Sequence, residues 1–595
     1  MKKIFLILTL LIAAKGIYAQ EESWRCASAE MNRIEMENNP QARANWENLQ
    51  IFIDDYIKEN KDSKNLDVYI IPVVFHIVHN YGPENISKEQ INDQIRILNE
   101  DYRRLNPDTV DIIPPFKQLA TDSRIEFRLA QIDPNGNCTD GVTRTISFQT
   151  YYGSEEIKNI APSWPNSKYL NVWVVNRIPG GVAGYAYYPG TAPNGRDGIM
   201  ITHSYIGSIG TGDIGKSRTL THEVGHYLSL PHPWGSTNEP GLQSNCNIDD
   251  GIEDTPNTIG HTSCNLWAVT CGSLDNVQNY MDYSYCCRMF THGQGARMRA
   301  ALNSNASQRN NLWTESNLIA TGTNDPDYIA VCEPIADWQQ NKIVTCINEE
   351  VEYYDLSYNT SEIASRTWQI EGANPETSNE KNPIVIYQNA GKYSTELYVA
   401  NSTGSDSKSK TNNISAYNHN DAVELPFIYD FENNDFPYLQ SGINNDFTIV
   451  AEGSQNWERT NSTGFSGNYS MRLINKNNEN NITNSFYTPL VKVDSTMFPL
   501  TIKFKVAYAK TYSTSNDKLK VYYSSNCGDY WRLRYNKPGV SLRTTDNLVQ
   551  YGNFVPNAEQ WREDEIIIME PYDKECQSLR LKFEAISGGG NAIYI

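Results

Sequence analysis

Positive charge is in short supply in this chain. Its 50 Lys and Arg stand against 70 Asp and Glu, a net charge of −20 over 595 residues. Phosphate binding relies on clustered cations, so this balance argues against nucleic acid or an anionic membrane as partner and fits a soluble exported protein. Long apolar runs are missing as well. The only one near a terminus, Ile4 to Ala14 behind Lys2-Lys3, is shorter than the roughly 18 residues a membrane span needs. With the small Ala19 after it, residues 1–19 read as a secretory signal peptide, and no Cys follows in a lipobox context. In an exported chain the 11 cysteines are mostly disulfides, and an odd number leaves at least one over. Histidine is scarce too, at 9 residues.

That scarcity makes one segment stand out. His222-Glu223-Val224-Gly225-His226, followed by His232, is an H-E-x-x-H motif that chance would produce on the order of one per cent of the time. On a helix, i and i+4 share a face, so His222 and His226 point at one ion while Glu223 reaches the same cleft. Zn2+ held catalytically wants three protein ligands and an open fourth position. His232 supplies the third if the helix stops near Ser229 and turns back, and Pro231 and Pro233 oppose its continuation. Leu220, Val224, Tyr227 and Leu228 give the helix one apolar face. His76 and His79 sit three apart on a strand, point to opposite faces and cannot share an ion.

A chain of this length implies roughly three to five domains. Residues 20–66 are polar with helical stretches. Val68 to Val78 is a continuous strand-type run. Ser87 with Gln90 opens a helix whose Ile91, Ile95 and Leu98 share a face, and strands follow at Tyr169 to Asn176 and Val182 to Tyr188. Strands ahead of a metal-site helix make residues 67–320 an α/β catalytic domain. Residues 321–331 read as an exposed linker. Short strands with turn signals over 333–417 predict a β-sandwich, and alternation at Phe504, Val506 and Tyr508 and again at Leu519, Val521 and Tyr523 predicts a jelly-roll over 425–595. Gly588 to Ile595 stops in mid-strand and reads as a truncated end.

The segment Arg218 to Leu228 with His232, and Asn279-Tyr280-Met281-Asp282-Tyr283-Ser284 after it, closely resembles the pappalysin (ulilysin-like) family of metzincin zinc endopeptidases. The likeness extends to Asp197-Gly198-Ile199, Asp249 to Pro256, Phe290-Thr291, Gly293-Gln294 and Arg297-Met298, over roughly residues 67–305. Residues 333–417 resemble a PKD domain, and 425–595 the C-terminal jelly-rolls of secreted bacteroidete proteases. The resemblance implies His222, His226 and His232 as zinc ligands, Glu223 as general base, Met281 as the Met-turn beneath them and Tyr283 as oxyanion stabiliser. It implies a Ca2+ site in the acidic loop 249–255, with Asp254 as ligand, against a plain solvated turn. Cys246, Cys264, Cys271 and either Cys286 or Cys287 resemble the family's two disulfides. Cys332 with Cys346 and Cys527 with Cys576 are the pairs expected within the later domains. Ser229 replaces the family's helix-ending glycine where the turn calls for positive φ, at a cost of about 1 kcal/mol.

Two expectations concern regulation and choice of substrate. Cys26 lies in a segment that resembles the family's propeptide, and a thiolate binds zinc well. A latent form with Cys26 on the metal, released by cleavage between 40 and 66, competes with a Cys26–Cys138 disulfide. The segment Asp282 to Met289 offers no acid beyond Asp282 and adds Arg288, which predicts an apolar or small residue after the scissile bond unless Asp254 or Asp275 reaches the pocket. The function expected is a secreted zinc endopeptidase acting on proteins or peptides, with carbohydrate or protein ligands for the β-domains. The alternative is a non-catalytic adhesin on a protease-like scaffold.

Overall fold

The computed structural model describes residues 25–61, 67–360, 362–437, 445–451, 455–477, 482–572 and 574–595, so the expected signal peptide lies outside the described residues. The chain divides into two compact units, one ending at Tyr328 and one built from Ile329–Ile595 together with Cys138–Asp140.

The first unit is built on a seven-stranded sheet. Its central strand is Tyr69–His79, a run whose buried residues on both faces suit the middle of a parallel sheet. We number the elements in chain order: β1 (Arg25–Cys26), α1 (Ser28–Asn38), α2 (Pro40–Glu59), β2 (Tyr69–His79), α3 (Lys88–Tyr102), β3 (Ile125–Leu129), β4 (Val142–Ile146), β5 (Leu170–Val175), β6 (Val182–Ala186), β7 (Ile199–Thr202), α4 (Thr219–Tyr227), α5 (His292–Asn303) and α6 (Glu315–Thr321). The order across the sheet is β1-β6-β7-β5-β2-β3, with β4 also on β2. All pairs are parallel except β6 against β7. Ser87 caps α3 through the Gln90 N–H, and Ile91 and Leu98 join β2, β3 and α4 in one core.

Helix α2 changes one expectation. The stretch 40–59 is 20 residues of helix with Asn39 as its N-cap, and Leu49 and Ile53 pack on Ala300 and Ala301 of α5. The polar composition there is a solvated helix face rather than an open cleavage region; 62–66 lie outside the described residues. The linker is also shorter than expected, because Gly322 terminates α6 in the left-handed conformation and Thr323 is buried, so exposed chain begins at Asn324.

The second unit holds the two expected all-β parts. One is a four-stranded and a five-stranded sheet closed over Trp338, Trp368, Tyr353 and Tyr387. The other is a six-stranded and a five-stranded sheet over Trp457, Phe486, Phe504 and Phe583. The disulfides correct two pairings. Cys332 bonds Cys138, and Cys346 bonds Cys527, joining the two sandwiches, while Cys576 keeps a buried thiol. Spacing along the chain carries no information about which loops meet across sheets. Cys246–Cys271 and Cys264–Cys286 form, leaving Cys287 as the free member of the adjacent pair. Among the described residues, no helix is long and apolar enough to cross a membrane.

Candidate active site

Every residue of α4 is buried, and of its polar atoms Glu223 Oε1 and Tyr227 OH have no hydrogen-bond partner among the described residues. Gly225 lies against Met281: a Cβ there would collide with the Met281 sulfur, so the helix can rest directly on the Met281 turn only because position 225 has no side chain. The helix stops at Leu228. Ser229 then takes φ +77°, Leu230 N–H donates back to Gly225 O, and the chain reverses so that His232 faces the helix. The Ser229 carbonyl is held by Arg297 Nε of α5 at 2.7 Å.

The three imidazoles converge. His226 Nε2 lies 3.0 Å from His222 Nε2 and 3.2 Å from His232 Nε2. Each Nδ1–H has a carbonyl to donate to: Tyr280 O at 2.8 Å, Leu230 O at 2.6 Å and Thr237 O at 3.3 Å. That fixes the tautomer and leaves three Nε2 lone pairs aimed at one another, a repulsive arrangement that a cation relieves. Burial holds all three rings neutral: His226 falls to about 4, and His222 and His232 lie well below the usual range, lowered also by their neighbours. Neutral imidazoles are the form that ligates, so the donor set fits Zn2+.

Cys26 completes the cluster. Its sulfur lies with the three ring nitrogens in a group whose ligand atoms are all within 4.8 Å of one another. It is a free thiol, not a partner of Cys138. Burial first, and the Glu223 carboxylate second, push that thiol well above its ordinary value. Glu223 Oε2 accepts from Ser28 Oγ at 2.8 Å and from Cys26 Sγ at 3.4 Å. Burial pushes the Glu223 carboxyl up to about 7. Glu223 packs on Gly184 of β6, where a Cβ would come within 3.3 Å of it and 3.0 Å of Met200 O. Tyr283 OH lies 3.2 Å from Cys26 O and 2.7 Å from Asn238 Oδ1, with its ring 5.0 Å from that of His232.

The other expected residues are placed differently. Asp254 Oδ2 accepts the Gly293 N–H at the start of α5, 2.9 Å away, while its Oδ1 is buried without a partner. Asp250 accepts from Thr255 and Ile252, and burial raises it to about 8. Among the described residues, only two groups of three or more His, Cys, Asp or Glu converge on one point, and neither includes the loop 249–255. The second, Cys346, His419 and Cys527, contains a disulfide. Asp275 is engaged by His261 at 2.8 Å and Thr270 at 2.9 Å, and Arg288 pairs with Asp108 at 3.3 Å. His76 is held by Thr143 and Asn171. Sequence reasoning missed Ser28, Asn32, Gly184 and Asn238. Gly184 meets Glu223, and the hydrogen-bond partners of Ser28, Asn32 and Asn238 at the site lie from 45 to 195 residues away, so no local pattern marks them.

A family model described as pregnancy-associated plasma protein-A matches residues 152–303, which span β5 to α5 and the whole histidine cluster. The extracellular metalloprotease 1 of Coccidioides posadasii is 32% identical over 246 residues, covering 38% of this chain and 75% of that protein. The extracellular metalloprotease of Pyricularia oryzae is 32% identical over 226 residues, covering 36% of this chain and 66% of its own length. Among solved structures, a promirolysin mutant from Tannerella forsythia is 34% identical, covering 51% of this chain and all of that one, with a TM-score of 0.43. The chain therefore belongs to the pregnancy-associated plasma protein-A family, the pappalysins, and is a metalloendopeptidase.

Proposed function

We propose that the protein is exported by residues 1–19 and made as a latent zinc endopeptidase, with 20–66 as propeptide, 67–320 as catalytic domain and two β-domains after it. The observation that carries this is the convergence of three neutral imidazoles on one point beside a buried carboxylate and a free thiol. His222, His226 and His232 would hold Zn2+, and Cys26 would take its fourth position in the precursor. Zinc held there would supply Lewis acidity to a bound water and to the scissile carbonyl. Glu223 accepts the water's proton and returns it to the leaving amine, a role that suits a carboxyl raised toward neutrality. Tyr283 donates to the developing oxyanion; its hydroxyl already lies beside a main-chain carbonyl of the segment in the cleft. Met281 fills the space under the helix.

Substrates are proteins or peptides. The acid-poor segment after Met281, with Asp275 and Asp254 engaged elsewhere, supports an apolar or small residue after the scissile bond. Ca2+ at Asp254 and carbohydrate or protein ligands of the β-domains are further parts of this reading. The adhesin alternative is separated by Glu223→Ala. Processed Glu223→Ala should keep its zinc and lose about 100-fold or more in peptide hydrolysis; undiminished cleavage would remove Glu223 from the mechanism. For the precursor, Cys26→Ala should hydrolyse peptide faster than wild type, and equal inertness would overturn the Cys26 assignment.

A further inference from the structure

The segment in the cleft does not lie along edge strand β6 as a strand throughout. Among the described residues, only Arg25 and Cys26 pair with it, opposite Val182 and Gly184, and Ala27 N–H donates to Gly184 O at 3.0 Å. The chain then coils into α1, while β6 runs on to Ala186 and the chain continues past it to Tyr188. A helix spends its own backbone groups internally and cannot satisfy a strand edge. Two side chains of α1 do so instead. Ser28 and Asn32 are i and i+4, on one face, and both are fully buried. Ala186 N–H donates to Ser28 Oγ at 2.8 Å, and Asn32 Nδ2 donates to Ala186 O at 3.0 Å. Tyr188 N–H donates to Asn32 Oδ1 at 2.8 Å, which also accepts from Thr191 Oγ at 2.6 Å. The Ser28 hydroxyl, having accepted from Ala186, gives its own hydrogen to Glu223 Oε2. This uses both its donor and an acceptor site.

We propose that Ser28 and Asn32 form a second latch, independent of Cys26: they occupy backbone hydrogen-bonding positions at Ala186 of β6 and at Tyr188 just past it that a bound polypeptide would use, and Ser28 caps the carboxylate that must accept a proton. This deepens, and rests on, the reading of residues 20–66 as a propeptide. It also explains how a peptide can sit in its own protease's cleft uncut. Beyond Ala27 the segment presents a helix, not an extended chain with a carbonyl laid beside Glu223.

The test compares full-length precursors, verified intact by mass at the time of assay, with the propeptide-free enzyme. Cys26→Ala alone should remain about tenfold less active than the propeptide-free enzyme, and Cys26→Ala/Ser28→Ala/Asn32→Ala should come close to it, because the hydrogen bonds that Ser28 and Asn32 make to the cleft are lost. With Cys26 intact, Ser28→Ala/Asn32→Ala should speed amide hydrogen exchange at Ala186 and Tyr188 about tenfold or more. Ser28→Thr, which keeps the hydroxyl, should exchange at Ala186 like wild type. Full activity of Cys26→Ala alone, or unchanged exchange at both amides, would overturn the second latch. Inertness of Cys26→Ala together with faster exchange in Ser28→Ala/Asn32→Ala would remove the cysteine from latency and leave this latch standing.

Discussion

Ser229 shows how much of the site rests on single residues. It holds φ at +77°, where glycine is at ease, and its hydroxyl is buried without a partner. Replacement by glycine should raise stability by about 1 kcal/mol, read as a higher denaturant midpoint with unchanged zinc content. A loss of stability would mean that the hydroxyl is needed after all. His261 gives a pH signature nearby. The hydrogen bond that His261 donates to the Asp275 carboxylate raises its folded pKa above the ordinary value, so its stabilising effect is complete below roughly pH 6.5 and lost as pH rises through the folded pKa. Asp275→Asn should therefore lower the melting temperature more at about pH 5.5 than at about pH 9, and an equal loss at both would exclude the ion pair as the cause. The histidine cluster was legible in the sequence because the i, i+4 spacing and the two prolines are local. Ser28 and Asn32 were not, because they work through contacts to residues over 150 positions away.

Among elements, strand and helix positions followed from periodicity, within a residue or two for β2 and β5. The order β1-β6-β7-β5-β2-β3 did not, since register between distant strands leaves no local mark. The helical stretch that forms α2 was read as polar, cleavable chain because its buried face is narrow, with Ala42, Leu49 and Ile53 as its buried residues. That face makes the helix a poor site for processing, since a protease needs an extended chain. The mature N-terminus should lie between 60 and 67 when determined by mass spectrometry. A terminus within 42–57 would show that α2 opens before cleavage.

At the scale of the whole molecule, His222, His226 and His232 all fall in the first unit, together with Cys26, the thiol proposed to block them. A chain ending at Tyr328, with Cys138→Ser because its partner Cys332 is removed, should cleave short peptides within about threefold of the full-length rate once processed. Bound zinc without hydrolysis would assign part of the site to the second unit. Cysteine parity pointed to at least one thiol left over, and three remain: Cys26, Cys287 and Cys576. The pairing within each β-domain failed because Cys346–Cys527 spans two domains that the sequence divides.

The central claim, that three neutral imidazoles hold one catalytic zinc, is tested most directly by metal stoichiometry joined to activity. Native mass spectrometry of the processed enzyme should find one zinc per chain. A chelator should remove it and abolish peptide hydrolysis, zinc should restore both, and His232→Ala should lose both. Full hydrolysis by chain shown to be metal-free would contradict the account.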